Sequence, residues 1–241
     1  MSGRVVLVTG STSGIGRATA LRFAARGDVV VFNSSRSPEE GARLAAATPG
    51  AHYVRASIGE DGGAEQLVAE VLERCGRLDV LVNNAGTTRA IAHRDLAAAD
   101  ASVWREIFEV NVFGTWALCV AAMDALRTAH GAIVNVGSIA GVRPTGSSIP
   151  YAASKAAVHH LTVLLAKTVG PEVRVNAVAP GLVDTPWTAD WARARERAQT
   201  TAPLRRSGQP EDIAEVIVDV AGHAYLTGQV IVVDGGLGLV S

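Results

Sequence analysis

The sequence contains little cysteine and no dense basic cluster. Cys75 and Cys119 are the two cysteines among 241 residues, too few for a disulfide scaffold and without the spacing of a structural metal site. The formal net charge is −1, and basic clusters do not exceed a pair such as Arg205 and Arg206. We therefore expect no metal, no nucleic-acid partner and a reducing, cytoplasmic location.

Long apolar runs and linkers are also missing. The N-terminus lacks the basic region and apolar core of a signal peptide, and no apolar stretch approaches the length that spans a bilayer. No low-complexity tract, proline-rich linker or break in composition divides the chain. The sequence predicts a soluble, unprocessed protein without a membrane partner, with residues 1–241 forming one dinucleotide-binding and catalytic domain.

Seven short β-branched runs alternate with helix-length segments. The runs are apolar at nearly every position, which is typical of strands buried on both faces of a parallel sheet. This alternation predicts an α/β protein with a doubly wound Rossmann fold and a seven-stranded parallel sheet flanked by helices. The runs begin at Arg4, Asp28, His52, Leu78, Ala132, Val173 and Gln229.

A glycine-rich turn follows the first run. Gly10, Gly14 and Gly16 stand where a strand passes into an amphipathic helix that opens near Gly14. Glycines permit a tight turn and a close approach to a pyrophosphate, which the helix N-terminus stabilises. A turn of this kind also occurs for steric reasons alone, but its place after the first strand favours a cofactor. The predicted cofactor residues here are Gly10, Ser11, Thr12, Ser13, Gly14, Ile15 and Gly16, and Thr9 can add a hydroxyl.

The second run ends without a carboxylate. A carboxylate at this point would bind the adenosine 2′-hydroxyl and repel a 2′-phosphate. Here the chain offers Asn33, Ser34, Ser35 and Arg36, which favours NADP(H), with NAD(H) possible because Arg36 can equally be a solvated loop residue.

Three further residues indicate a reaction that combines proton exchange with polarisation of a carbonyl oxygen. Tyr151 and Lys155 are four residues apart on a helix that is predicted to begin near Pro150, so they share a face. A nearby ammonium and an oxidised nicotinamide both favour the phenolate of a tyrosine, which can then exchange protons with a substrate. Ser138 closes the fifth run, at the sheet edge where such folds bind ligands, and can polarise a carbonyl oxygen.

Six motifs in this order resemble the short-chain dehydrogenase/reductase family, in particular members similar to 3-oxoacyl-[acyl-carrier-protein] reductases. They are TGSTSGIG, LVNNAG, EVNVFGT, Ser138, YAASK and NAVAPG, and they cover nearly the whole chain. The resemblance implies a nicotinamide-dependent oxidoreductase acting on a ketone or secondary alcohol.

The resemblance also implies roles for matching residues. Tyr151 would be the acid/base, Ser138 would orient the substrate, Lys155 would bind the nicotinamide ribose, and Asn111 would hold a water in the proton relay. Further cofactor residues would be Asn84, Ala85, Gly86, Pro180, Gly181, Val183 and Thr185. Ser57 and Ile58 would lie at the adenine edge, where the family usually carries an acidic residue in place of Ser57.

Other features have more than one interpretation. The resemblance implies a mobile substrate lid around residues 184–205, which contains Trp187 and Trp191, and a homotetramer or homodimer. His159 continues the face of Tyr151 two turns away, beyond hydrogen-bond reach of its hydroxyl, so packing or a subunit interface is favoured. Arg89 and His93 more often face solvent than a pocket.

Three functions remain open from the sequence. The first is reduction or oxidation of a free small carbonyl or alcohol, and the second is reduction of carrier-bound 3-oxoacyl thioesters. Scattered Arg127, Arg174, Arg205 and Arg206 form no dense docking site for an acidic carrier, which favours a free substrate. The third is a non-catalytic cofactor-binding or scaffold protein, against which the intact Ser138, Tyr151, Lys155 and Asn111 argue.

Overall fold

The centre of the protein is a seven-stranded sheet in which every neighbouring pair is parallel. A computed structural model describes residues 3–240, so Met1, Ser2 and Ser241 of the predicted 1–241 domain lie outside the described residues. The strand order is β3-β2-β1-β4-β5-β6-β7, which confirms the predicted Rossmann fold and all seven strands. The strands are β1 Val5–Val8, β2 Val29–Ser34, β3 His52–Arg55, β4 Val80–Asn83, β5 Ala132–Val136, β6 Arg174–Pro180 and β7 Val230–Val233.

Two apolar cores cover the two faces of this sheet. Alternate residues of one strand point to opposite faces, so Leu7 of β1 joins one core and Val6 joins the other. Both are fully buried. This double burial explains why the strands are continuous apolar runs in the sequence.

Helices form the outer layers. Helices α1 and α8 pack together on one face, while α3 and α5 pack together on the other. The helices are α1 Gly14–Ala25, α2 Pro38–Ala47, α3 Gly63–Cys75, α4 Ala101–Phe108, α5 Thr115–Thr128, α6 Ile149–Val169, α7 Ala192–Thr201 and α8 Pro210–Gly222. A π-helical segment, Glu109–Gly114, joins α4 to α5.

The continuous helical stretch Ala101–Ala129 contains an 18-residue window with a mean hydropathy of 1.3, so by length and composition it is long and apolar enough to cross a membrane. The expectation that no such stretch exists was therefore wrong by length and composition. In the fold, Leu118 and Leu126 on its inner face are fully buried in the core, while Trp116 and Val120 are exposed. Apolar residues on two faces raise its hydropathy, and its inner face packs in the core.

The order of the strands reverses between β1 and β4, which both lie at the centre of the sheet. Connections from these two strands leave the sheet in opposite directions, so a crevice opens beyond their carboxyl ends. The first glycine-rich turn, Ser138 and the start of α6 all lie at this edge.

Candidate active site

A cleft of about 1550 Å³ lies at the carboxyl edge of the sheet. Its walls include the glycine-rich turn, the end of β2, Ser138, the first turns of α6 and part of α7. Of the predicted site residues, all but two line this cleft; the exceptions are Ser11 and Asn111.

The glycine-rich turn forms a cradle at the N-terminus of α1. Gly10 and Gly14 have φ angles of +59° and +52°, a backbone conformation that glycine adopts without steric cost. A Cβ on Gly16 would lie 2.5 Å from the carbonyl oxygen of Gly10. No side chain caps the helix, and its first turn carries no acidic residue, so free amides and the helix dipole fit a pyrophosphate.

Two hydroxyls of this turn are used in hydrogen bonds within the protein and not in the cradle. The Ser11 side chain is fully buried and accepts a hydrogen bond of 2.9 Å from the backbone N–H of Asn33. Thr9 Oγ1 accepts from the backbone N–H groups of Asn84 and Ala85, each at 3.0 Å. The Ser11 side chain therefore fixes the turn against β2, and its predicted cofactor contact stays a prediction.

The residues at the end of β2 differ in whether their side chains already have hydrogen-bond partners. The side chain of Asn33 bonds to Gly10, Val54 and Ala56, although the residue borders the cleft. Beyond it, Arg36 lines the cleft, and its guanidinium has no ion pair or hydrogen bond with any residue in the described part of the chain. Arg36 is thus available to an anionic ligand.

The catalytic candidates converge in the cleft. Helix α6 begins at Ile149 with Pro150 in its first turn, and the hydroxyl of Ser148 accepts from the backbone N–H of Tyr151. One turn later, Lys155 Nζ lies 5.8 Å from the Tyr151 ring centroid and donates to the carbonyl of Val136 at 2.9 Å. Ser138, two residues after this carbonyl, lines the same cleft.

The electrostatics favour a protonated tyrosine. Burial raises the pKa of the Tyr151 hydroxyl, and the neighbouring Ser138 hydroxyl acts in the opposite direction. Burial also lowers the pKa of Lys155 to about 8. The sequence suggested that the ammonium would favour the phenolate, but within the protein alone desolvation has the larger effect. Tyr151 therefore has its proton available at neutral pH.

Asn111 lies behind the cleft, in the π-helical segment. It is 1% exposed, and its side chain bonds to the backbone of Thr87 in both directions and to Ser154 Oγ. Its Oδ1 atom lies near Gly86, as does Lys155 Nζ. The side chain braces the loop after β4, and the predicted water-holding role of Asn111 stays a prediction.

The predicted substrate side of the cleft, which lies beside Tyr151 and α7, contains Trp187 and Trp191 of the expected lid and other residues that the motifs did not reveal. Trp187 packs edge-on against Tyr151, with ring centroids 6.3 Å apart, and is 45% exposed. Trp191 also lines the cleft, whereas Arg89 and His93 do not, and Arg89 instead pairs with Glu106. Further lining residues include Thr87, Ala90, Glu106, Thr145, Gly146, Ser147, Asp190, Arg193, Arg197 and Leu237. They come from α4, α7 and the loops between elements, outside the six motifs.

Known proteins resemble the chain along its whole length. The family model described as Enoyl-(Acyl carrier protein) reductase matches residues 10–238. A relative provisionally named ketoacyl reductase 2 of the granaticin polyketide synthase, from Streptomyces violaceoruber, is 58% identical over 96% of this chain and 95% of its own length. The 3-oxoacyl-[acyl-carrier-protein] reductase FabG of Thermotoga maritima is 39% identical over 98% of both chains.

Solved structures give the same result. A provisionally assigned short-chain dehydrogenase/reductase from Burkholderia xenovorans has a TM-score of 0.92 at 38% identity and covers 99% of both chains. RhlG of Pseudomonas aeruginosa, solved as an NADP active-site complex, has a TM-score of 0.90 at 32% identity, covering 99% of this chain and 97% of its own. The chain is an oxidoreductase and belongs to the short-chain dehydrogenase/reductase family.

Proposed function

We propose that the protein is an NADP(H)-dependent ketoreductase in which Tyr151 is the acid/base. The observation that carries this proposal is the convergence of Tyr151, Ser138 and Lys155 in one cleft with the uncapped N-terminus of α1. The cofactor, when bound, would exchange a hydride with the reacting carbon. The residues of the chain then have to bind the carbonyl oxygen of the substrate and supply its proton.

Each of the three side chains has a distinct task in carbonyl reduction. Ser138 Oγ accepts from the backbone N–H of Ala140 at 3.1 Å, which leaves its own hydrogen free to donate to the carbonyl oxygen. Tyr151, protonated because of its raised pKa, gives its proton to the developing alkoxide. Lys155 uses one N–H on Val136 and has two more for ribose hydroxyls.

The preference for NADP(H) is supported by Arg36. A 2′-phosphate at the end of β2 would meet this unpaired guanidinium and no carboxylate of that strand, an arrangement that suits bidentate phosphate binding. The NADP complex of RhlG adds support from a relative.

We further propose that residues 184–205 form a lid over the substrate. Arg195 in α7 anchors this segment, because its guanidinium bonds to Asp184 at 2.8 Å and to the carbonyl of Ala189 at 3.0 Å. Arg193 and Arg197, one turn apart on the same helix, border the cleft without an ion pair in residues 3–240. Lids of this kind commonly exclude water and complete a site.

These two arginines favour a 3-oxoacyl thioester as the substrate. The four arginines considered from the sequence are engaged elsewhere: Arg206 pairs with Asp212, for example, and Arg174 bonds to backbone carbonyls at the end of α8. Beside α7, the cations without an ion pair in residues 3–240 are instead Arg193 and Arg197, where the phosphate of a pantetheine arm can bind. The 58% identity to a polyketide ketoacyl reductase supports this substrate class over a free ketone.

Self-association and location complete the proposal. Phe113, Trp116 and Val120 expose apolar side chains along α5 and the segment before it, a composition that is typical of subunit contacts. We propose a homotetramer, and light scattering after gel filtration would distinguish it from a dimer. Two free cysteines, Cys75 and Cys119, support a cytoplasmic location.

The proposed chemistry is tested by Tyr151→Phe, which removes the transferable proton. We expect turnover of every accepted ketone with NADPH to fall at least about a hundredfold, while NADPH still quenches tryptophan fluorescence on binding. Tyr225→Phe is the matched control, because Tyr225 is 98% exposed and should keep full activity. Unchanged turnover in Tyr151→Phe would refute the acid/base role, and a wild type that binds NADPH but reduces no carbonyl would favour a scaffold protein.

A further inference from the structure

His159 is buried directly beneath the segment that carries Ser138. It lies on α6 one turn after Lys155 and is 6% exposed. A Cβ on Gly137 would lie 2.1 Å from its Nε2 atom, and a Cβ on Gly141 would lie 2.7 Å from Cε1. The backbone before and after Ser138 therefore packs directly on the imidazole, at two positions where only glycine fits.

The imidazole also makes a directional contact with Ser138. Its Nε2 atom accepts a hydrogen bond of 3.4 Å from the backbone N–H of Ser138. The serine's hydroxyl accepts from Ala140, and its carbonyl accepts from Gly141 at 3.0 Å. In residues 3–240, His159 is the partner that the structure gives to the Ser138 N–H, so removing the acceptor would leave a partly buried donor unsatisfied.

Successive turns of α6 thus hold both sides of Gly137. Lys155 Nζ binds the carbonyl of Val136, and His159 Nε2 binds the N–H of Ser138. Tyr151, one turn before Lys155 on the same face, lines the cleft. The distance between the Tyr151 and Ser138 hydroxyls is consequently set by one rigid helix.

The contact requires a neutral ring. Nε2 can accept only when the proton of the imidazole is on Nδ1. The Nδ1 atom is buried without a hydrogen-bond partner among the described residues. Burial and the nearby charge of Lys155 lower the pKa of His159 to about 4. Neutral His159 is therefore the form present at physiological pH, and its acceptor is retained.

We propose that His159 is a positioning residue that fixes Ser138 relative to Tyr151 through the Ser138 backbone N–H. This role rests on the proposed function, in which the Ser138 hydroxyl orients the carbonyl. Small displacements of a positioning group lower the rate more than they lower binding, because the correct geometry matters most in the transition state. The effect should therefore appear in kcat and not in cofactor affinity.

The test compares His159→Leu, which fills the space without an acceptor, with His159→Gln, whose side-chain oxygen can replace Nε2. Each is assayed with NADPH and ethyl 3-oxobutanoate, or the best ketone of a screened panel. We expect His159→Leu to lose about tenfold in kcat with KM and NADPH affinity nearly unchanged, and His159→Gln to recover most of that loss. His160→Leu, at the exposed neighbouring histidine, should match the wild type.

Wild-type kcat in His159→Leu, or equal losses in His159→Leu and His159→Gln, would overturn the proposal. Should His159→Leu fail to fold, His159→Asn replaces it, because its shorter amide cannot reach the Ser138 N–H; kcat equal to that of His159→Gln would then be the contradicting result. Tyr151→Phe in the same assay separates the two proposals. If Tyr151→Phe keeps wild-type turnover, the proposed function is refuted. If Tyr151→Phe loses turnover while His159→Leu keeps wild-type kcat, only the positioning role of His159 is refuted.

Discussion

The predicted cofactor side of the cleft, formed by the glycine-rich turn and the end of β2, and the predicted substrate side beside α7 are built differently. On the cofactor side, Ser11 and Asn33 are buried and bonded across neighbouring strands. On the substrate side, Trp187 is 45% exposed, and Arg193 and Arg197 have no protein partner in the part of the chain that the structure describes. The first side is organised before any ligand arrives, while the second has side chains left to form contacts with one.

This difference corresponds to the two tasks of the cleft. The reaction is shared by the relatives, whereas the substrate differs between them. Hydride exchange with a nicotinamide needs the same geometry for every carbonyl, so its residues can be fixed by the core. A substrate differs between relatives, and exposed residues on α7 can change without cost to the core. Substitutions on the two sides should therefore differ in kind, with losses of cofactor binding on one and changes of KM on the other.

The largest effect is expected from Gly16→Ala on the cofactor side. Its Cβ would lie 2.4 Å from Asn84 Nδ2 and 2.5 Å from the carbonyl oxygen of Gly10, so the turn has to deform. We expect NADPH affinity to fall more than about a hundredfold, measured by fluorescence titration. Gly222→Ala is the control, since nothing lies within 4 Å of its added Cβ. A Gly16→Ala protein that binds NADPH normally would mean that this side is less rigid than its packing indicates.

Arg36→Ala should have the next largest effect, because Arg36 lies on the cofactor side yet is unpaired. We expect about thirtyfold weaker NADPH binding, since one charge-assisted contact to a phosphate is lost, and unchanged NADH binding. Arg127→Ala, on an exposed helix end, controls for the loss of one positive charge. Equal losses for both cofactors, or comparable kcat/KM of the wild type with NADH, would contradict the assignment to a 2′-phosphate.

The sequence predicted most of the cofactor side and little of the substrate side. Strand runs, the glycine turn and the spacing of Tyr151 and Lys155 are local patterns, so their elements could be predicted. The use of Ser11 depended on its pairing with Asn33 of β2, a non-local contact. Helical spacing places His159 beyond reach of the Tyr151 hydroxyl, but it does not predict its actual partner, the backbone N–H of Ser138. Arg193 and Arg197 border the cleft because of how the chain folds back after β6, which no short motif records.

The substrate side is tested by the double variant Arg193→Ala/Arg197→Ala. We expect KM for acetoacetyl-coenzyme A to rise about tenfold, because two guanidinium contacts to phosphate groups are lost at an exposed site. The N-acetylcysteamine thioester of the same acyl group carries no phosphate, and its KM should stay the same. An equal rise for both thioesters would indicate damage to the lid, and no rise for either would favour a free ketone as the substrate.

The smallest expected effect is on stability at acidic pH. It tests whether His159 is held as rigidly as the residues of the cofactor side. Its pKa is lowered from 6.5 to about 4 by burial and by Lys155, so the unfolded chain binds a proton on this residue at a pH where the folded chain does not. Stability is then fully present above pH 6.5 and decreases as the pH falls towards 4.

Between pH 7 and 5.5, this linkage removes about 1 kcal/mol from the free energy of unfolding, equivalent to about 2 to 4 °C in Tm. His159→Gln cannot titrate, so its Tm should decrease less than that of the wild type over the same interval, measured by scanning calorimetry. His160→Gln should follow the wild type, because it leaves the buried imidazole in place. Identical pH dependence in the wild type and His159→Gln would mean that the ring is protonated as easily in the folded protein as in the unfolded chain, and His159 would then belong with the loosely held residues of the substrate side.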